Sequence, residues 1–184
     1  GAYISRGMAY HDLNQYSEAI QDFTKAIELK PADPTLYFYR SNSYFSLKRS
    51  HQAIQDLDMA IALDPDNVWT GSYYKCRGLI YRDLKQYSKA IQDFTKIIEL
   101  NPHNSNAYYL RGELYYGLKQ YSKAIRDLSK AIELNSSHKY ALGLRGLAYF
   151  GLGIVNKGCL DLGRSCDLGN CEPLEKALNH GLCQ

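Results

Sequence analysis

The chain has 184 residues, and its hydrophobic content of 45% is typical of a protein that buries a core. Its net charge of +3, from 22 basic and 19 acidic residues, is too small to indicate a nucleic acid partner. No apolar run is long enough to cross a membrane, and the start, GAYISRGMAY, does not resemble a secretory signal. Because this start lacks an initiator methionine and opens inside a pattern, we interpret the sequence as a segment of a longer protein.

A pattern of small and aromatic residues repeats from the first residues onward. A small residue recurs at Gly7, Ser41, Gly78, Gly112 and Gly146. A tyrosine follows each of them three places later, at Tyr10, Tyr44, Tyr81, Tyr115 and Tyr149. Further along each repeat, a small residue precedes a large apolar one by four places: Ala19 and Phe23, Ala53 and Leu57, Ala90 and Phe94, Ala124 and Leu128, Gly158 and Leu162. These spacings predict two amphipathic helices per repeat, joined by a short turn such as LKQ.

The small residues predict how the two helices of a repeat pack. Where one helix presents glycine and the other alanine, the two backbones can approach closely, with the tyrosine beside them. Pro31, Pro65 and Pro102 close the first three repeats, at intervals of 34 and 37 residues. The pair Asp33-Pro34 predicts an N-cap followed by proline in the first turn of the next helix.

This pattern resembles the tetratricopeptide repeat, whose period and small, aromatic, alanine and proline positions it shares. The resemblance implies an all-α fold, an α-α superhelix or solenoid of antiparallel helix pairs, with the first helix of each pair lining a concave groove. The predicted boundaries are unit 1 at 1–32 with its first helix truncated, unit 2 at 33–66, unit 3 at 67–103, unit 4 at 104–137, a divergent unit 5 at 138–170 and a capping helix at 171–184.

The third unit carries three extra residues near 67–72, and the only tryptophan, Trp69, lies among them. We expect Trp69 to cover the junction there, with an exposed contact residue as the alternative.

Every repeat also contains an arginine and an aspartate in fixed register. The arginines are Arg6, Arg40, Arg77, Arg111 and Arg145, and the aspartates are Asp22, Asp56, Asp93, Asp127 and Asp161. A basic stripe for RNA is one interpretation. One carboxylate for each guanidinium, with matching period, instead favours structural salt bridges between helices.

First-helix residues at helical spacing from the small positions should face the groove. They are Phe38, Asn42, Phe45, Lys75, Leu79, Arg82, Tyr109, Glu113, Tyr116, Leu147 and Phe150. Aromatic residues and arginine suit a binding surface, although packing against neighbouring repeats is the alternative for each of them. Relatives that clamp a chaperone tail use a lysine and an asparagine one turn apart. Lys75 precedes Leu79 and Phe38 precedes Asn42, so we do not predict that ligand.

Four of the five cysteines follow residue 158, at Cys159, Cys166, Cys171 and Cys183. Their spacing does not fit a zinc site. Cys159 and Cys166 take places that isoleucines hold in earlier repeats, which favours simple packing. An antiparallel capping helix would alternatively bring Cys166 near Cys171 and Cys159 near Cys183, as disulfides in a compartment outside the reducing cytosol. Cys76 should be a free thiol.

No catalytic motif, metal-ligand spacing or cofactor fingerprint is present, so we predict neither an enzyme nor a cofactor. The predicted function is a protein–protein interaction module that binds a peptide or helix of a partner in its groove. Self-assembly or an intramolecular scaffold for a parent protein is the alternative, and RNA binding is a third. We predict no nucleic acid and no membrane as partner, with self-association possible. The expected compartment is the cytoplasm, or the periplasm or exterior if the late cysteines are bridged.

Overall fold

The computed structural model describes residues 1–65 and 69–183 of the chain. These residues form eleven α-helices and no strand, and ten of the helices are paired into five hairpins. The helices are α1 (Ala2–Asp12), α2 (Tyr16–Leu29), α3 (Pro34–Ser46), α4 (Ser50–Leu63), α5 (Thr70–Asp83), α6 (Tyr87–Leu100), α7 (Ser105–Gly117), α8 (Tyr121–Leu134), α9 (Lys139–Gly151), α10 (Val155–Asp167) and α11 (Glu172–Asn179).

The chain divides into two compact units, Gly1–Asp93 and Phe94–Gln184. The first unit contains α1 to α5 and the beginning of α6, and the second contains the rest of α6 and α7 to α11. The predicted division into five repeats and a cap stays a prediction.

Glycine in the first helix of a hairpin receives a large apolar side chain from the second helix. A Cβ atom on Gly7 would lie 2.9 Å from the Phe23 ring, and one on Gly112 would lie 3.0 Å from Leu128. The same crowding occurs at Gly146, where Leu162 would lie 2.7 Å away. The predicted close approach of the two backbones is present at Gly146, where an added Cβ would lie 2.9 Å from the Gly158 carbonyl oxygen, and the large side chain adds a contact that was not predicted. The small residue is needed because the larger side chain, four positions beyond the alanine, occupies the space.

The alanines of the second helices lie in the core. Ala19, Ala53, Ala90 and Ala124 are fully buried, as are Leu57 and Leu128. Burial of such side chains stabilises each hairpin by roughly 25 cal/mol per Å² of apolar surface removed from water.

The turn inside each hairpin has one backbone geometry in all five cases. One residue adopts a positive φ: Asn14, Lys48, Lys85, Lys119 and Gly153. The next residue donates its N–H to the carbonyl of the repeated tyrosine, for example Gln15 to Tyr10 at 2.8 Å and Gln120 to Tyr115 at 2.8 Å. This is a Schellman motif, which satisfies carbonyls that the end of an α-helix leaves without partners.

Side-chain caps begin several of the first helices. Asp33 accepts from the Thr35 N–H at 3.0 Å with Pro34 in the first turn, as predicted. Asn104 caps α7 and His138 caps α9, each accepting from the backbone N–H three residues later. These caps fix where the second, fourth and fifth hairpins start.

The inserted segment of the third repeat is described from Trp69 onward, and positions 67 and 68 of the predicted insertion lie outside the described residues. Trp69 is 59% exposed at the start of α5, so the prediction that it covers a junction is wrong. The buried neighbour is Thr70, whose hydroxyl donates to the Asp64 carbonyl at 2.7 Å.

Candidate functional site

Five arginine–aspartate pairs link the first and second helices of the hairpins. In each pair the arginine Nε and Nη2 atoms donate to the two carboxylate oxygens of the aspartate 16 residues later, at 2.6 to 3.0 Å. The pairs are Arg6–Asp22, Arg40–Asp56, Arg77–Asp93, Arg111–Asp127 and Arg145–Asp161. All five carboxylates are buried, and the geometry is the bidentate one that a guanidinium favours.

A third hydrogen bond connects four of these arginines to the preceding hairpin. The Nη1 atom of Arg40 donates to Thr24, that of Arg111 to Thr95 and that of Arg145 to Ser129, each at 3.0 Å. Arg77 donates to Asp58 in the same way. The guanidinium donors of these four side chains are therefore engaged by protein groups, which leaves little capacity for phosphate.

Arg6 differs from the other four arginines in its surroundings. Its side chain is 59% exposed, whereas those of Arg40, Arg77, Arg111 and Arg145 are 16 to 18% exposed. The hydrogen bonds from Arg6 still lower the pKa of the Asp22 carboxyl below its usual range.

In the first unit, the predicted groove residues of α3 are anchored to the core on one side. Phe38 and Phe45 pack against a cluster that includes Tyr37, Leu57 and Tyr73, and the Phe38 ring centroid lies 5.2 Å from that of Tyr73. Both rings are half-buried, so each keeps part of its surface accessible.

The predicted groove residues of α5 vary in exposure. Lys75 is exposed, while Leu79 and Arg82 are half-buried. Arg82 makes an ion pair with its neighbour Asp83 at 3.3 Å. Cys76 on the same helix is a free thiol, and burial raises its pKa, which disfavours the reactive thiolate.

In the second unit, Tyr109 and Tyr116 of α7 pack against a core cluster built around Leu128, Ala131 and Leu142. The Tyr109 ring centroid lies 4.8 Å from that of His138, and the Tyr116 ring lies 5.7 Å from that of Tyr121. These tyrosines and Glu113 are half-buried.

His138 is a buried histidine beside Tyr109. Its Nδ1 atom accepts from the Ala141 N–H at 3.3 Å, and burial lowers the pKa of the imidazole. The neutral form is the one that can cap α9, since a protonated ring has no acceptor.

The predicted groove residues of α9, Leu147 and Phe150, pack within the last hairpin and its cap. Both contact the cluster formed by Leu162, Ala177 and Cys183. A Cβ on Gly158 would lie 2.3 Å from the Phe150 ring, so glycine replaces the alanine of earlier repeats because this ring fills its place. Phe150 thus packs within this hairpin, and its role as a groove residue stays a prediction.

The four late cysteines lie in two pairs between α10 and the cap. Cys159 and Cys183 are disulfide-bonded with Cα atoms 5.6 Å apart, and Cys166 and Cys171 are bonded with Cα atoms 3.9 Å apart. Ala177 of α11 is buried in the same region, while Leu178 is 48% exposed. The cap is therefore held by two covalent bonds and a small apolar contact.

A cleft in the first unit involves residues that the sequence analysis did not select. It is lined by Met8, His11, Asp12, Phe23, Tyr39 and Asn42, with a volume of about 180 Å³. Only Asn42 belonged to the predicted groove. Met8 stands one place after Gly7, as Asn42 stands one place after Ser41, so applying the same register to the first repeat would have found it.

The part of the chain that the structure describes contains neither a candidate metal site nor a candidate membrane span. Across residues 1–65 and 69–183, no group of three or more histidine, cysteine, aspartate or glutamate side chains could hold a metal ion. Within the same part of the chain, each helix is too short or too polar to span a bilayer.

The repeats also match models of a known protein family. A family model described as tetratricopeptide repeat matches residues 2–33, 72–104 and 105–138, and a second model of that description matches residues 34–67. No curated protein sequence matches the chain.

Several solved structures have a similar fold at low sequence identity. A crystal structure of MamA is 22% identical, with a TM-score of 0.81, and the alignment covers 100% of this chain and 96% of that one. MamA from Desulfovibrio magneticus is 18% identical, with a TM-score of 0.82 and coverage of 93% and 95%. YrrB, described as a TPR protein with an unusual peptide-binding site, is 20% identical, with a TM-score of 0.79 and coverage of 97% and 90%.

Proposed function

Because the chain belongs to the tetratricopeptide repeat family, whose members form protein–protein interaction modules, we propose that it holds a peptide segment of a partner on its first-helix faces. The family and the all-α class of helix pairs are as predicted from the sequence, and the interaction function agrees with them. No catalytic role is assigned to the segment.

One observation carries the proposal. Phe38 and Phe45 in the first unit, and Tyr109 and Tyr116 in the second, each pack against a core cluster and remain only half-buried, so part of each ring is accessible. Rings held in this way lose little side-chain entropy when a ligand covers them, which is how preorganised surfaces gain affinity. YrrB offers a parallel, since a peptide-binding site is described for a protein of this fold.

The arginine row does not favour an RNA-binding alternative. Its members are engaged by aspartates in all five hairpins, and a helical-repeat RNA binder needs base-reading side chains that are free. Self-association has no comparable support, and static light scattering of the purified protein would detect it as a mass above 20.9 kDa.

The test is capture of partners by the immobilised protein. Phe45→Ala and Tyr109→Ala should each weaken capture of a partner that the wild type retains, because each removes an anchored ring. Gln92→Ala, an exposed residue of the second helix α6, is the matched control and should leave capture unchanged. Equal capture by all variants would contradict the first-helix faces as the binding surface.

We also propose that the protein works in an oxidising compartment, the periplasm or the exterior, and not in the cytoplasm. The support is the pairing of all four late cysteines, since structural disulfides persist outside reducing cytosol. Mass spectrometry of unreduced protein should find one free thiol, that of Cys76. Five free thiols in protein isolated from its native compartment would overturn this assignment.

A further inference from the structure

The cleft of the first unit has an aromatic floor. Phe23 of α2 is buried, and its ring stacks on Tyr39 of α3 with the centroids 5.7 Å apart. Met8 of α1 forms a wall and is 42% exposed, so its thioether lies open to a ligand. The cleft lies between α1 and α3, the first helices of two successive hairpins.

The rim of the cleft is rich in hydrogen-bond acceptors. His11 Nδ1 lies 3.0 Å from the hydroxyl of Ser43, which is fully buried and lies 3.3 Å from the Tyr39 carbonyl. When that hydroxyl donates to the carbonyl, the histidine Nδ1–H donates to the hydroxyl, and Nε2 is left as an acceptor.

The rim also carries a negative charge. Among the described residues that line the cleft, Asp12 is the one carboxylate, and none is a lysine or an arginine. A cationic ligand group would therefore find an unopposed carboxylate, an imidazole acceptor and the Asn42 amide oxygen within one rim.

We propose that this cleft binds an aromatic side chain of a partner peptide that is directly followed by a lysine or arginine. The inference rests on the proposed function and adds the chemistry of the ligand. An apolar cavity of about 150 Å³ is enough to hold a benzene ring, and this cleft has about 180 Å³. Methionine sulfur and aromatic walls favour a ring, and Asp12 favours the neighbouring cation.

The experiment is selection of random dodecapeptides displayed on phage against the immobilised 184-residue protein. The wild type should enrich peptides with an aromatic residue followed by a basic one. Synthetic peptides from this pool are then titrated by fluorescence anisotropy, as selected and with the basic residue replaced by alanine.

Three variants locate the binding. Met8→Ala should weaken the binding of the selected peptide about tenfold or more, because it removes a wall of the cleft. Asp12→Asn should weaken the binding of the selected peptide about two- to fivefold. It should leave the affinity for the alanine-substituted peptide unchanged. Asp83→Asn is the matched control, since Asp83 holds the same register position in α5 but is paired with Arg82. Circular dichroism verifies that each variant is folded.

The outcomes separate the two proposals. Enriched peptides that lack the aromatic–basic pair, or that bind Met8→Ala and Asp12→Asn as tightly as the wild type, would overturn this inference and leave the proposed function standing. Failure of the wild type to enrich any peptide would overturn both.

Discussion

The first and last hairpins contain the same arginine–aspartate pair in different surroundings. Arg6 is 59% exposed, and its Nη1 atom has no hydrogen-bond acceptor within the described residues. Arg145 is 16% exposed, and its Nη1 atom donates to Ser129 of the preceding hairpin. The difference shows that the aspartate links the two helices of one hairpin, whereas packing of the preceding hairpin is what buries the arginine.

The largest expected effect comes from removing the aspartate in each of these two hairpins. Asp161→Ala should lower the free energy of unfolding by about 3–5 kcal/mol, because Arg145 would remain buried without its counter-ion. Asp22→Ala should cost much less, since Arg6 can be solvated where it stands. Urea denaturation followed by circular dichroism measures the free energy of unfolding of both variants. Equal losses of stability would contradict the proposed difference between Arg6 and Arg145.

The last hairpin is also closed covalently, which gives the second prediction. Replacing Cys159 and Cys183 together by serine should lower the free energy of unfolding by about 3 kcal/mol, because the bond closes a loop of 24 residues. Wild-type protein in excess reductant should show a similar loss or a larger one, since both disulfides open. Identical unfolding midpoints for the oxidised wild type and the double variant would show that this bond adds no stability.

The third prediction isolates the hydrogen bond between hairpins. Ser129→Ala should lower the free energy of unfolding by about 1–2 kcal/mol, because it leaves one buried donor of Arg145 without an acceptor. Ser122→Ala, at an exposed position of the same helix, is the control and should change stability little. If the two variants were equally stable, the third bond would have no part in the difference between Arg6 and Arg145.

The smallest expected effect is a dependence on pH that differs between the two hairpins. His138 has a lowered pKa in the folded protein, so acidification below the unfolded value of about 6.5 favours the unfolded state and weakens the α9 cap. Asp22 also has a lowered pKa, and its stabilisation is present above about pH 4 and lost as the pH falls through the folded value.

Thermal melts between pH 8 and pH 5 separate these two contributions. The wild type should lose stability over this range, and His138→Asn should lose less, because asparagine caps a helix at either pH. An unchanged pH dependence in His138→Asn would exclude His138 as its source.

Much of the fold could be predicted because its determinants are local or periodic. Small residues and a tyrosine recur at fixed positions in each hairpin. Arg40 and Asp56 are 16 residues apart, as are the equivalent pairs, and this interval spans one turn and half of each flanking helix. The contact between each of these glycines and the large apolar side chain of the second helix was not predicted, because spacing along a helix does not reveal how far each side chain reaches.

The site was harder to predict, because it depends on neighbours brought together by packing. Phe150 has the register of a groove residue, but its ring packs closely against Gly158 in the last hairpin. Trp69 directly precedes α5 in the segment that breaks the repeat period, so the spacing could not predict its exposure. The cleft beside Met8 exists because Phe23 and Tyr39 stack below it, a contact between two hairpins.

The Schellman turns have a consequence for engineering. Lys48, Lys85 and Lys119 occupy a left-handed backbone region that disfavours most side chains, whereas Gly153 occupies it freely and Asn14 is among the residues that tolerate it. Glycine or asparagine at Lys85 and Lys119 should raise the melting temperature. The Lys48 ammonium lies 6.0 Å from the centroid of the Phe45 ring, so its replacement would also change a surface proposed to contact a partner. At Lys85 and Lys119, heat tolerance can thus be changed independently of recognition.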